Sequence, residues 1–330
     1  MPLSGKNVLV TGSNGFVGSF LTETLLKEGA EVFCLVRKTS NLRWLKDLKV
    51  RFVYGDISDK SSLKGIFKNI DYVFHTAGAK KGFSKEDFLA VNYNGTKNLI
   101  EEVYRENPNV KKFVYISSMA VMGPSLDGKP ICENNECKPI SYYGESKLKG
   151  EEAVLSFSKK IPVTIIRPPA IYGPRDEDIY SIFKAVKLKI KPIFGFKRRY
   201  ISLCYIKDLI EGTILTIKTD KSNGNIYIIS DDKVYTWQEI LDQIAMVLNV
   251  KSFTVKIPIS LVFTSAYISE LIARVSNTST IFTRQKAKEM ICDWHCDISK
   301  AKNELGFIPK YDISKGVPET AKWYKENSWL

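Results

Sequence analysis

The stretch SYYGESKLKG, residues 141–150, sets Tyr143 four positions ahead of Lys147. On a helix this spacing brings the two side chains onto one face, while Tyr142 looks across at Ser146. A free phenol has a pKa of about 10, and an adjacent ammonium group favours its ionised form, so the hydroxyl becomes a usable proton donor near neutrality. Reduction of a carbonyl needs such a donor at the oxygen. Tyr-x-x-x-Lys also arises on solvated helix faces, so its meaning depends on the elements that carry it.

Those elements read as alternating strands and helices. Short β-branched runs predict strands at 6–11, 31–36, 50–54, 71–76, 111–117 and 162–167, with helices near 15–28, 60–68, 86–106 and 142–159. In the first helix Val17, Leu21 and Leu25 form the buried stripe and Gly29 the stop. This order predicts an α/β protein built on a doubly wound parallel sheet. Beyond Arg167 the alternation loosens, with strands near 200–206 and 225–230 and helices near 207–217, 236–248, 258–275 and 312–326. Residues 1–168 and 201–232 are expected to form the dinucleotide-binding domain. Residues 169–200 and 233–330 are expected to form a smaller, mainly helical substrate-binding region over the sheet's carboxyl edge, where open α/β sheets bind ligands. The chain has neither an internal repeat nor a low-complexity tract.

A nucleotide signature opens the chain. VLVTGSNGFVGSFL sets Gly12, Gly15 and Gly18 between the first strand and the first helix. The first glycine permits the turn, the second lets backbone N–H groups approach a pyrophosphate, and the third lets helix and strand pack closely. The whole loop, Gly12, Ser13, Asn14, Gly15, Phe16, Val17 and Gly18, is therefore expected against the cofactor. The second strand ends in Val36-Arg37-Lys38, without the carboxylate that usually meets the ribose 2′-hydroxyl of NAD. A guanidinium grips a 2′-phosphate bidentately, so Arg37 and Lys38 favour NADP, with NAD the alternative. A solvated basic turn is the plain reading of the same residues. Asp56, followed by Ile57 after the third strand, is set to meet the adenine or to cap the next helix.

Composition bounds the rest. A chain of 330 residues with 44% hydrophobic and 26% charged residues is long and apolar enough for a large globular core. The net charge of +13 is scattered rather than blocked, which argues for a surface attracting anionic cofactors and substrates and against nucleic acid. Six cysteines lack a disulfide-framework spacing and are expected as thiols. In CDWHC, 292–296, three potential ligands crowd too closely for tetrahedral zinc, and no metal is expected. The N-terminus carries no leader pattern and no apolar run reaches spanning length, so the expected location is the cytoplasm.

With these residues in view, the chain resembles the extended short-chain dehydrogenase/reductase family, within the NAD-dependent epimerase/dehydratase superfamily. TGSNGFVG, 11–18, is similar to its glycine loop, and HTAG, 75–78, to the strand-four motif bordering the nicotinamide ribose. VNYNGT, 91–96, YISSMAVMG, 115–123, and YGESK, 143–147, follow in the family's order, as do RPPAIYGP, 167–174, YIKDL, 205–209, and the C-terminal pattern. The resemblance implies a Rossmann fold, catalytic roles for Ser118, Tyr143, Lys147 and Asn92, and cofactor contacts from Thr76, Ala77, Gly78 and Pro169. Tyr143 and Lys147 would also contact the cofactor. It implies hydride transfer at a ketone or secondary alcohol, with Tyr143 as general acid or base. Homodimers are common in the family.

Within it, Met119-Ala120 after Ser118 departs from the Asp-Glu pair of dehydratases, and Pro168-Pro169-Ala170-Ile171 lacks the asparagine of epimerases. The segment resembles the branch of 3β-hydroxysteroid dehydrogenases and dihydroflavonol reductases. An NADP-preferring oxidoreductase is thus the expectation. A nucleotide-sugar epimerase holding NAD is the second reading, and a catalytically silent NADP-sensing scaffold the third. Arg198 and Arg199 are open between a phosphate-bearing substrate and plain surface charge. Leu261, Ser265, Ile268 and Ile272 line one side of the 258–275 helix. Core packing is expected of that stripe, the alternative being a lid over a bulky apolar substrate or a membrane-surface contact.

Overall fold

In a computed structural model, which describes residues 3–126, 128–276, 278, 280 and 282–330, the predicted parallel sheet is present. Its strands are β1 (Asn7–Thr11), β2 (Glu31–Val36), β3 (Arg51–Tyr54), β4 (Tyr72–His75), β5 (Lys112–Ile116), β6 (Val163–Arg167) and β7 (Asn225–Ile228). They lie in the order β7-β6-β5-β4-β1-β2-β3, every neighbouring pair parallel. The chain runs outward from β1 to β3, then crosses back to β4 and runs outward the other way. The reversal between β1 and β4 is the point where a doubly wound sheet opens a ligand crevice.

Both faces of the sheet are covered. Val8 and Val10 point into one apolar cluster with Leu21 and Leu25 of helix Phe16–Lys27, while Leu9 points into a second with Val73 and Leu99. Burial on both sides is why the strands read as continuous apolar runs.

Several expectations need correction. The helix expected at 60–68 is a single turn, Lys60–Leu63. Gly65 adopts a left-handed φ of 83°, and the Glu106 carboxylate takes the N–H groups of Gly65 and Phe67 at 2.6 and 2.9 Å, so no helix continues. The 86–106 helix divides into Lys85–Leu89, a wide π turn Ala90–Gly95, and Thr96–Glu106. The strand near 200–206 breaks at Ser202 into Tyr200–Ile201 and Leu203–Tyr205, because the Ser202 N–H donates to Trp294 O at 2.8 Å.

The later half also contains elements that its sequence did not announce. Ala170–Tyr172 pairs with Leu203–Tyr205, Ile190–Phe194 pairs in parallel with Phe253–Ile257, and short helices form at Arg284–Met290 and Ser299–Leu305. The two strand pairs join segments far apart in sequence, which local patterns do not record. The stripe of helix Ile259–Val275 is not core: Leu261, Ile268 and Ile272 face solvent, and the buried face is Val262, Ala266 and Ala273. No helix among the described residues is long and apolar enough to cross a membrane.

Candidate active site

The glycine loop closes the carboxyl end of β1. Gly12 has φ 65°, and a Cβ there would lie 2.7 Å from the Ala77 backbone nitrogen, so the turn and the close pass of the strand after β4 both require glycine. At Gly18 a Cβ would lie 2.2 Å from the Gly12 carbonyl oxygen, which is the packing of helix against strand. Gly15 is exposed, and its substituent would meet that oxygen at only 3.2 Å. It caps helix Phe16–Lys27 with no side-chain bond, and no acidic residue occupies the first turn. The leading N–H groups are thereby left for an anion, which fits a dinucleotide pyrophosphate. Ser13 contributes only backbone here, since its side chain is buried beside the Cys34 thiol. The Asn14 amide donates to Asn41 O at 3.3 Å, and Phe16 packs edge-on to Phe20 with Val17 half-buried beside it.

Around the loop, β2 ends in exposed Arg37 and Lys38, with the Arg37 N–H bonded to Ser40 Oγ at 3.1 Å. After β3, Asp56 accepts the Ser58 N–H at 2.9 Å, and it is Asp59, not Asp56, that caps the following turn. Ile57 is buried against Gly95. After β4, the Thr76 hydroxyl donates to Thr11 O at 2.7 Å and the Ala77 N–H to the Thr11 hydroxyl at 3.2 Å. His75 is buried between the Thr11 and Thr96 hydroxyls at 2.7 and 2.9 Å and is stacked on Tyr115. Burial and the Lys147 charge hold it well below the usual imidazole range, hence neutral.

Gly78 brings these strands to the reacting residues: its substituent position lies 3.0 Å from Asn92 Oδ1 and 3.8 Å from Lys147 Nζ. Asn92 sits in the π turn, a form common at functional sites. Its amide is committed, accepting from the Ala79 N–H at 2.8 Å and donating to Ala79 O and Ser146 Oγ at 3.1 and 2.9 Å. Ser118 follows β5, and Pro169 lies half-buried just past β6.

Helix Tyr142–Leu155 carries the tyrosines. Tyr142 is 39% exposed, while Tyr143 is half-buried with its ring edge towards Phe88. Burial pushes the Tyr143 phenol up; the Ser118 hydroxyl beside it and the charge of Lys80 pull it down. Lys80 is thus a cation acting on this phenol from outside the helix. Lys147 is buried and donates to Ile116 O at 2.7 Å, lying 4.2 Å over the Tyr115 ring, because a desolvated ammonium takes the nearest strong acceptor. Burial pushes Lys147 down to about 7, against the opposing pull of Glu151, which Arg167 clamps at 2.6 Å. Lys80, bonded to Asp178 at 2.7 Å, was missed because nothing in GAKKGF, 78–83, marks it.

The Lys147 shift carries a pH prediction. Between about 7 and 10.5 the unfolded chain holds a proton on this lysine that the folded chain has released, so folding stability gained from this site rises with pH across that window. Chemical denaturation of the parent and of Lys147→Met across that range should show the parent gaining on the variant. A pH-independent difference would contradict the shift.

Arg198 acts on Glu239 and Arg199 on Cys292. All six cysteines are free. The CDWHC segment is a structural stitch: Trp294 bridges to Ile201, Cys296 to Ile131, and His295 Nε2 lies 3.1 Å from Gly128 O. Among the described residues no three His, Cys, Asp or Glu side chains gather as a metal site.

A family model for the NAD dependent epimerase/dehydratase family matches residues 8–230, which take in the sheet from the second residue of β1 through β7. The chain belongs to that family. Relatives of this family member are enzymes. It is 28% identical to the ceramide reductase of Caulobacter vibrioides, covering 98% of this chain and 96% of that one. It is 31% identical to the human sterol-4-alpha-carboxylate 3-dehydrogenase, decarboxylating, covering 77% and 69%. The solved structure of an epimerase from Methanothermobacter thermautotrophicus superposes with a TM-score of 0.82 at 25% identity, over 99% and 94% of the two chains.

Proposed function

We propose that the protein is an oxidoreductase that prefers NADP and interconverts a ketone and a secondary alcohol. The observation that carries this is the half-buried Tyr143 beside the Ser118 hydroxyl, one helical turn before Lys147, whose ammonium lies by Gly78 just past β4. The Tyr143 hydroxyl gives or takes the proton at the substrate oxygen, and Ser118 with that hydroxyl holds the oxygen's developing charge. The open N–H groups after Gly15 hold the pyrophosphate, and residues 76–78 with Lys147 face the nicotinamide half. The nicotinamide supplies or accepts hydride when bound. Asn92, whose amide is spent on Ala79 and Ser146, is a positioning residue that keeps the 78–80 strand end against helix Tyr142–Leu155. Relatives that act on a ceramide and a sterol support a bulky apolar substrate.

NADP preference rests on Arg37 and Lys38 in place of an acid. Arg37→Asp should weaken NADPH binding far more than NADH binding in fluorescence titrations, by roughly tenfold or more for a lost charge-assisted phosphate contact. Equal losses would remove Arg37 as the discriminator.

Denaturing freshly purified protein and identifying the nucleotide released tests the reaction class. Protein that arrives empty and then binds NADPH fits the oxidoreductase, whose cofactor exchanges each turnover. Near-stoichiometric NAD fits an epimerase, in which the cofactor stays through a keto intermediate. The site residues also argue against a silent sensor, which needs only the glycine loop; failure to oxidise NADPH with any of a panel of ketones would favour it.

A further inference from the structure

We propose that the face formed by helix Ile259–Val275 and the Ile190–Phe194/Phe253–Ile257 strand pair docks on the surface of an anionic lipid bilayer.

The helix turns its apolar stripe outward. Leu261 is 58% exposed, Ile272 62% and Val275 89%, and with Ile268 they fall on one side of the helix at steps of seven, four and three residues. The carboxylate and guanidinium of this helix lie off the stripe: Glu270 is paired with Arg284 at 2.9 Å, and Arg274 follows it by one turn. A helix of 17 residues spans about 25 Å, which suits lying in an interface.

The strand pair beside the helix also exposes apolar side chains. Phe253 is 74% exposed and lies in register with exposed Ile190, and exposed Val255 points to the same face two residues on. Farther along that face, Ile257 and Phe194 pack with Val262 and Ala266 of the helix, so strand pair and helix share one small core. Phe196, also exposed, follows the Gly195 turn that approaches Ile259. Large apolar side chains exposed together on two elements that share a core mark an interaction site rather than scattered exposed residues.

Charge identifies the occupant. From Ile179 to Lys207 the chain contains no Asp or Glu, and Lys184, Lys187, Lys189, Lys197 and Arg198 along it are exposed. From Gln243 to Ser269 there is again no carboxylate, while Lys251 and Lys256 are exposed. A greasy patch whose flanking segments are mainly cationic, with Asp242 paired to Lys191 at 2.7 Å and Glu239 near Arg198 as the carboxylates beside them, matches an anionic headgroup layer over hydrocarbon. A second copy seated symmetrically on this face would instead bring like charges together.

The docked face lies one helix away from the tyrosine. Val262 and Ala266 pack on Ala287, and within that same helix Gln285 Oε1 accepts the Tyr142 N–H at 2.9 Å and Glu289 accepts the Ser141 hydroxyl at 2.6 Å. The docking itself does not depend on which carbonyl, if any, is reduced.

The test is cosedimentation of the full chain with vesicles of phosphatidylcholine alone and of phosphatidylcholine mixed with phosphatidylserine. The parent should bind the mixed vesicles, more weakly as salt rises, and bind the neutral ones poorly. Ile268→Gln/Ile272→Gln should weaken binding at least about tenfold through lost apolar insertion. Both side chains are solvent-facing, so the variant should keep its far-ultraviolet spectrum and nucleotide affinity. Lys197→Gln/Arg198→Gln should lower binding to mixed vesicles only. No binding, equal binding to both vesicle types, or binding indifferent to the isoleucine changes would overturn the proposal. So would a soluble dimer that those changes dissociate, because the face would then belong to a second copy.

Discussion

Tyr143→Phe is expected to lower turnover by roughly a thousandfold, the range in which a positioned general acid acts, and to leave cofactor affinity intact. The variant removes only the hydroxyl, and the ring stays against Phe88. Tyr142→Phe serves as its control: that side chain is more exposed, and its backbone N–H rather than its hydroxyl makes the contact with Gln285. The pair separates two adjacent tyrosines that composition cannot tell apart. Initial rates against a ketone panel, with a nucleotide titration beside them, give the result. Wild-type rates in Tyr143→Phe would remove it from the chemistry, and equal losses in both variants would point to a disturbed helix instead. Because burial raises the Tyr143 phenol while Ser118 and Lys80 lower it, the residual activity of a Lys80→Gln variant should shift its alkaline limb to higher pH.

Gly18→Ala is expected to damage the fold itself, by about 3 kcal/mol. The added methyl would meet the Gly12 carbonyl oxygen at 2.2 Å, and both partners are backbone, so no side chain can turn aside. Gly15→Ala meets the same oxygen at 3.2 Å on an exposed turn and should fold nearly normally, while nucleotide binding falls because the methyl sits where N–H groups approach a phosphate. Urea denaturation and nucleotide titration of the two variants give opposite profiles. A stable Gly18→Ala protein would mean that helix Phe16–Lys27 can shift away from β1 without loss.

Much of the protein is determined by its sequence alone. The strands of the first half, buried on both faces except for the edge strand β3, appear as β-branched runs within a residue or two of their observed ends, because the signal is local. The glycine loop is equally legible: Gly12 and Gly18 exclude a Cβ for steric reasons that the spacing already states, and Gly15 sits exposed at the helix start. Tyr143 and Lys147 share a helix, so their common face follows from geometry four residues long.

What each of them touches was decided only by tertiary structure. Lys147 turns to the Ile116 carbonyl because it is buried, and burial depends on strands far away in the chain; Lys80 stands nearer in effect to Tyr143 for the same kind of reason. Asn92 finds Ala79 and Ser146 through a π turn that helix periodicity does not foresee. In the second half, the strand pair at 190–194 and 253–257 joins segments some sixty residues apart. Helix Ile259–Val275 has two apolar sides, and a periodic pattern cannot say which of them meets the core. The small Val262 and Ala266 pack on Ala287 of the Arg284–Met290 helix and with Ala273 take the buried side, which leaves the larger Leu261, Ile268 and Ile272 outside.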